Sequence, residues 1–157
     1  MILLVLIMLL SQLWTETMSK GSLQRLSGLR TGREYLVDNL GFYPIAVESI
    51  RNNPEIERVL MLWEPRSFYC NQKCDPDEVL DQWWQAVRMW NQPEIILDRW
   101  RTMGYTHLML NRQGADFIQD EDERYYADDW KMLDNLLRIL PAPTIFGQSY
   151  ELYRLNP

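Results

Sequence analysis

The chain opens on an unbroken apolar run, ILLVLIMLL at positions 2–10, and only afterwards do its apolar residues become periodic. The run is shorter than the ~20 residues that cross a bilayer. A secretory signal would carry a basic leader before it and a small-residue cleavage site after it, and neither is there. A buried helix of a soluble protein is the other alternative. We read residues 1–18 as the end of a transmembrane or membrane-anchoring helix, with Trp14 at interfacial depth. Residues 19–33 follow as a Ser/Gly/Leu-rich connector. Its Lys20, Arg25, Arg30 and Arg33 favour the cytoplasmic side by the usual charge bias.

Helical spacing then sets in. Tyr35, Leu36 and Leu40 share a face and Gly41 stops the helix. Pro44 suits the first turn of a second helix, with Ile45, Val47 and Ile50 on its apolar side and Asn53-Pro54 as its end. RVLMLWE at 58–64 is continuous rather than periodic, the mark of a strand buried on both faces of a parallel sheet. The segment 75–90 predicts a helix capped by Asp75, with Pro76 at its first position and Glu78 completing a capping box. Leu80, Trp83, Trp84 and Val87 are its apolar stripe. Pro93 opens another helix, lined by Ile96, Trp100 and Met103 and closed by Gly104. YTHLMLN at 105–111 is a second buried strand, so strand–helix–helix–strand predicts a right-handed parallel crossover.

The polar, acidic stretch 113–126 predicts a loop. Trp130, Leu133, Leu137 and Leu140 mark a further amphipathic helix. PTIFGQSYELYRL at 143–155 predicts a hairpin around Gly147. The sum is an α/β fold over residues 34–157. It is a small three-layer sandwich whose partly parallel sheet has about four strands and ends in a C-terminal β-hairpin.

Composition narrows the function classes. A chain of 157 residues carries a net charge of −6 and shows no Lys/Arg stripe interleaved with aromatics. No nucleic-acid partner is therefore expected. Seven Trp and eight Tyr are many for this length. They suit core and half-buried helix faces, or a surface that stacks on sugar rings or lipid head groups.

Two groups of residues carry candidate chemistry. Glu64-Pro65-Arg66 stands at the C-terminal end of the first predicted strand, the edge where open α/β sheets bind ligands in Rossmann-like folds. There Glu64 can act as acid or base, Arg66 as a clamp for phosphate or carboxylate, and Tyr69 as a stacking or hydroxyl partner. The alternative is structural, with Glu64 and Arg66 paired to hold the loop. The second group is Cys70-x-x-x-Cys74. A structural zinc ion takes four ligands, and only His107, inside a predicted strand, remains to help, so no metal is assigned. Three residues between the cysteines, rather than two, exclude a thioredoxin-like pair. A local disulfide in an oxidising compartment, or two free thiols in a reducing one, both remain.

The acidic residues Asp116, Asp120, Glu121, Asp122 and Glu123 lack the spacing and glycine of a calcium loop and read as a solvated surface. His107 reads as a structural histidine among Leu and Met residues. Nucleophile-elbow, phosphate-cradle and His-Glu-x-x-His patterns are missing, so no catalytic residue and no cofactor are assigned.

The order of REYLVDNLGFYPIAVESIRNNPEIERVLMLWEPRSFYC, CDPDEVLD, MGYTHLMLNRQGADFI and YELYRL resembles the C-terminal domain of bacterial multi-spanning membrane glycosyltransferases. These are of the lipid-linked-sugar type, broadly similar to protein O-mannosyltransferases. The resemblance covers residues 33–155, and LWEPRSFYC with its second Cys is the most specific part. It implies a domain that follows the last membrane helix and faces the extracytoplasmic side, which favours the Cys70–Cys74 disulfide. It implies an enzyme that moves a sugar from a polyprenyl-phosphate donor to an acceptor, such as a glycan, at the membrane surface. The family's chemistry is assigned to acidic residues between early membrane helices, which this chain lacks. The implied role here is a non-catalytic tail. The alternative is a membrane-anchored module that binds a sugar or an anionic group without transferase activity.

Overall fold

The computed structural model describes residues 31–156 together with Met8 and Ser11. The expected membrane helix, apart from those two residues, and residues 19–30 of the expected connector thus lie outside the described residues, while residues 32 and 33 of that connector are helical. Among the described residues no helix is long and apolar enough to cross a membrane. The chain divides into two compact units, Met1–Pro44 and Ile45–Pro157.

The first unit contains α1, Gly32–Leu40. Thr31 caps it by a reciprocal box: its Oγ1 accepts the Glu34 N–H at 3.2 Å, and the Glu34 carboxylate accepts the Thr31 N–H at 2.8 Å. Two otherwise orphaned donors are satisfied at once. Gly41, at φ 62°, ends the helix, a left-handed backbone that glycine adopts without steric cost. Helix α2 runs Tyr43–Asn52 and leads into the second unit, where Ala46, Val47 and Ile50 are buried.

The second unit is built on five strands: β1 Val59–Leu62, β2 Cys74–Asp75, β3 His107–Asn111, β4 Thr144–Phe146 and β5 Tyr150–Arg154. Their order across the sheet is β2-β1-β3-β5-β4. β1 pairs parallel with β2 and β3, while β5 runs antiparallel to β3 and to β4. The sheet is therefore mixed and one strand wider than the sequence predicts. The extra strand is β2, whose two residues are too few to show a period.

The connection from β1 to β3 passes through α3, Gln82–Trp90, and α4, Pro93–Thr102. After β3 come α5, Arg112–Glu121, and α6, Ala127–Ile139. Leu60 and Leu62 of β1 and Leu108 and Leu110 of β3 share one face. They pack with Trp83, Val87, Ile96, Trp100, Leu133 and Leu136 of the helices. The Trp83 and Trp100 rings meet at 6.2 Å in a tilted pair. Val59, Met61 and Met109 alternate to the opposite face and are equally buried. Both faces being covered is why β1 and β3 are continuous apolar runs. Each such side chain contributes about 1.5–3 kcal/mol by leaving water.

Two expectations are corrected. Helix α3 begins at Gln82, not at Pro76, because Asp75 is drawn into β2 beside Leu60. Its carboxylate is held there by Arg58 at 2.5 Å and by the Tyr105 hydroxyl at 2.7 Å. Asp77 supplies the helix cap instead, its Oδ1 accepting the N–H groups of Asp81 and Gln82 at 3.0 and 3.2 Å. The second correction is the stretch 113–126, which is helical as far as Glu121. Asn111 starts α5 by accepting the Gly114 N–H at 3.2 Å, and Ala115 and Ile118 are its buried anchors.

Candidate functional site

The C-terminal edge of β1 is shaped by a backbone reversal at Trp63. Its φ of 56° lies in the left-handed region, which bulky residues adopt only where their surroundings compensate. Three contacts do so. The Trp63 N–H donates to Asp77 Oδ2 at 3.0 Å, its carbonyl accepts Asn111 Nδ2 at 3.1 Å, and its ring stacks on Trp130 at 5.3 Å. The reversal leaves Glu64 with no solvent exposure at all.

Buried, the Glu64 carboxylate is surrounded by donors. Oε1 accepts the Arg66 N–H at 3.0 Å and Arg66 Nε at 2.7 Å. Oε2 accepts Arg66 Nη2 at 2.8 Å, the Tyr150 hydroxyl at 2.6 Å and Asn111 Nδ2 at 3.2 Å. Arg66 Nη2 also reaches the Tyr150 oxygen at 2.6 Å. A carboxylate has about four lone-pair sites, so these donors fill it. The fork of Arg66 grips both oxygens, the bidentate geometry that makes such pairs strong and directional. Glu64 and Arg66 thus form the pair that the structural reading of the sequence describes, and any acid–base work by Glu64 would have to break it.

The loop beyond this pair carries Phe68 and Tyr69, which are 86% and 43% exposed. Cys70 and Cys74 are buried and joined by a disulfide, with Cα atoms 5.7 Å apart. The bridge spans the 3-10 turn Asn71–Lys73. Lys73 Nζ donates to the carbonyls of Asn53 and Ile50 at 3.0 and 3.4 Å, at the C-terminal end of α2. That end carries partial negative charge, so the ammonium is well placed. The loop is pinned at both ends, by Arg66 at the end of β1 and by the disulfide at the start of β2, and between them it exposes two aromatic rings.

Three residues of this constellation are absent from the sequence reading: Asn111, Tyr150 and Asp77. Asn111 and Tyr150 begin or end strands that pair residue for residue, which no local pattern reveals. Tyr150 does stand at an alternate position of the hairpin's YELYRL run, the one available signal. Asp77 is fully buried, and that burial pushes its carboxyl above the ordinary value while backbone N–H groups from Trp63, Gln82 and Asp81 pull the other way.

The remaining sequence candidates lie elsewhere. His107 is half-buried beside the Thr106 hydroxyl at 3.0 Å. Burial, then Arg154, holds it below its ordinary value. Asp116, Asp120, Glu121 and Glu123 are exposed on α5 and just after it. Asp122 pairs with Arg124 at 2.6 Å, which holds its carboxyl below the usual range. Among the described residues no three His, Cys, Asp or Glu side chains converge on a point that could hold a metal ion. Comparison with family models, curated proteins and solved structures finds no match to this chain.

Proposed function

We propose that this chain is the extracytoplasmic, non-catalytic tail domain of a membrane glycosyltransferase that moves a sugar from a polyprenyl-phosphate donor. The observation that carries the reading is the Cys70–Cys74 disulfide at the start of β2, beside Val59 of β1. Disulfides of this kind persist in oxidising compartments, where lipid-linked sugars are used in the family that the sequence resembles. The filled coordination of Glu64 gives that residue a supporting role, with the sugar chemistry performed by membrane-embedded parts of the enzyme. The full chain expressed in a bacterial host tests the proposal. Impermeant protease added to spheroplasts should degrade the domain, and the isolated protein should show no alkylatable thiol until it is reduced. Protection from protease together with two free thiols would overturn it.

The exposure of Phe68 and Tyr69 favours a second reading, a membrane-anchored module that binds a sugar or anionic group with no transferase attached. Rings of this kind stack on sugars and lie against lipid head groups. Titration with polyprenyl phosphates and with oligosaccharides should shift the unfolding temperature, and Phe68→Ala with Tyr69→Ala should abolish the shift. No shift at millimolar ligand would remove this reading.

A further inference from the structure

A groove of about 440 Å³ is lined by the 76–81 segment, by α3 and α4, and by Leu60 of β1. Its size falls within the ~300–1,000 Å³ range of small-molecule sites. Leu60 and Ala86 lie at its base, and Trp100, Trp90 and Tyr105 supply aromatic wall. Val79, Met89 and Met103 edge it and are 69%, 60% and 48% exposed. Three such side chains around one concavity are more apolar surface than scattered exposure accounts for.

The charged residues that line this groove have one sign, and the nearby Arg58, over the Tyr105 ring at 4.5 Å, is paired with Asp75. Asp77, Glu78 and Asp81 line it, and no Lys, Arg or His is among its lining residues. Asp77 is committed to backbone N–H groups, as is its role in capping α3. Glu78 is exposed, and Asp81 is partly exposed with one oxygen taken by Gln85 Nε2 at 2.9 Å. An anionic occupant would meet this field, with Arg58 already committed to Asp75. A cation would meet two carboxylates at one end and, beyond them, polarisable sulfur and aromatic surface that suits its apolar body.

We infer that this groove binds a small organic cation, an amine or quaternary ammonium carrying an apolar body, with the charged head at Glu78 and Asp81 and the body along Met89 and Met103.

The full chain is titrated with hexyltrimethylammonium and, in parallel, with hexanesulfonate, reading Trp fluorescence and backbone amide shifts. The cation should bind saturably, shift the amides of Val79, Gln85, Met89 and Met103, and bind about tenfold more tightly than the sulfonate. Raising salt should weaken it. Glu78→Gln with Asp81→Asn should reduce that preference by about fivefold. Met89→Lys and, separately, Val79→Lys should abolish cation binding; both positions are exposed, and near-ultraviolet circular dichroism verifies that each variant is folded. Equal affinity for the sulfonate, wild-type binding by either folded lysine variant, or no saturable response to either probe would overturn the inference.

Discussion

Gly114 lies so close against Trp63 that a methyl group placed on it would meet the Trp63 carbonyl oxygen at 2.4 Å and the Trp63 Cβ at 2.9 Å. The first atom is backbone, and it belongs to a residue already held in the left-handed region. Neither can swing aside as a flexible side chain would. Gly114→Ala should therefore destabilise the domain by about 1–3 kcal/mol, the usual cost of overpacking, although alanine is the better helix former. Urea unfolding measures it. A variant as stable as the wild type would show that α5 can retreat from β1 without cost.

The Glu64 network predicts a ranking. Arg66→Ala leaves a wholly buried carboxylate without its cation and should cost about 3–5 kcal/mol. Tyr150→Phe removes one donor from an oxygen that keeps two others, so about 1–2 kcal/mol is expected. Glu64→Gln lies between them, because the amide presents an NH₂ group to donors. Denaturant midpoints for the three variants should fall in that order. Arg66→Ala milder than Tyr150→Phe would mean that water takes the place of the guanidinium beside Glu64.

These interactions also mark how far the sequence could be read. β1 and β3 are legible because burial on both faces makes them unbroken apolar runs. Helix α4 is legible because Pro93 and Gly104 punctuate it, and the hairpin because Gly147 does. Helix α5 is not legible, since only Ala115 and Ile118 are buried along it. Its start depends on Asn111, whose side chain is positioned by a strand. The boundary of α3 was hidden for a related reason. Asp75-Pro76 with Glu78 is a sound local cap signal, yet Asp75 is recruited into the sheet by Arg58 and Tyr105, distant in sequence. Glu64 and Arg66 were found as neighbours, while Tyr150 and Asn111 entered through sheet pairing alone.

The disulfide joins residues only four apart, so it constrains a short loop of the unfolded chain. Chain-entropy arguments give about 2 kcal/mol for a loop of this size. Reductant, or the double replacement Cys70→Ser with Cys74→Ser, should lower stability by about that amount and loosen the Phe68–Tyr69 loop. Hydrogen exchange around Phe68 and Tyr69 should quicken while β1 and β3 keep their protection. Equal slowing or quickening across the whole sheet would place the bridge in the folding core instead.

Acid should act on this domain through two carboxyls that pull in opposite directions. Asp129 is nearly buried and bound by both arms of Arg88, each at 2.8 Å. Arg88 holds its carboxyl below the usual range, against the opposing effect of burial. A group depressed in the folded state contributes stability above its unfolded value of ~3.9 and loses that contribution as pH falls through the folded value. Asp77 is the reverse case, raised by burial. The folded state holds its proton more tightly than the unfolded chain does, so its contribution is present at low pH and is lost as pH rises through the folded value. Asp129→Asn should cost about 1–3 kcal/mol near neutrality and flatten the loss of stability below about pH 4. Asp77→Asn should instead steepen the loss of stability on acidification, because the compensating uptake of a proton by Asp77 is gone. Urea unfolding of both variants and the wild type from pH 3 to pH 7, in steps of about one unit, separates the two effects. Parallel stability curves for all three proteins would show that neither carboxyl changes its proton affinity on folding.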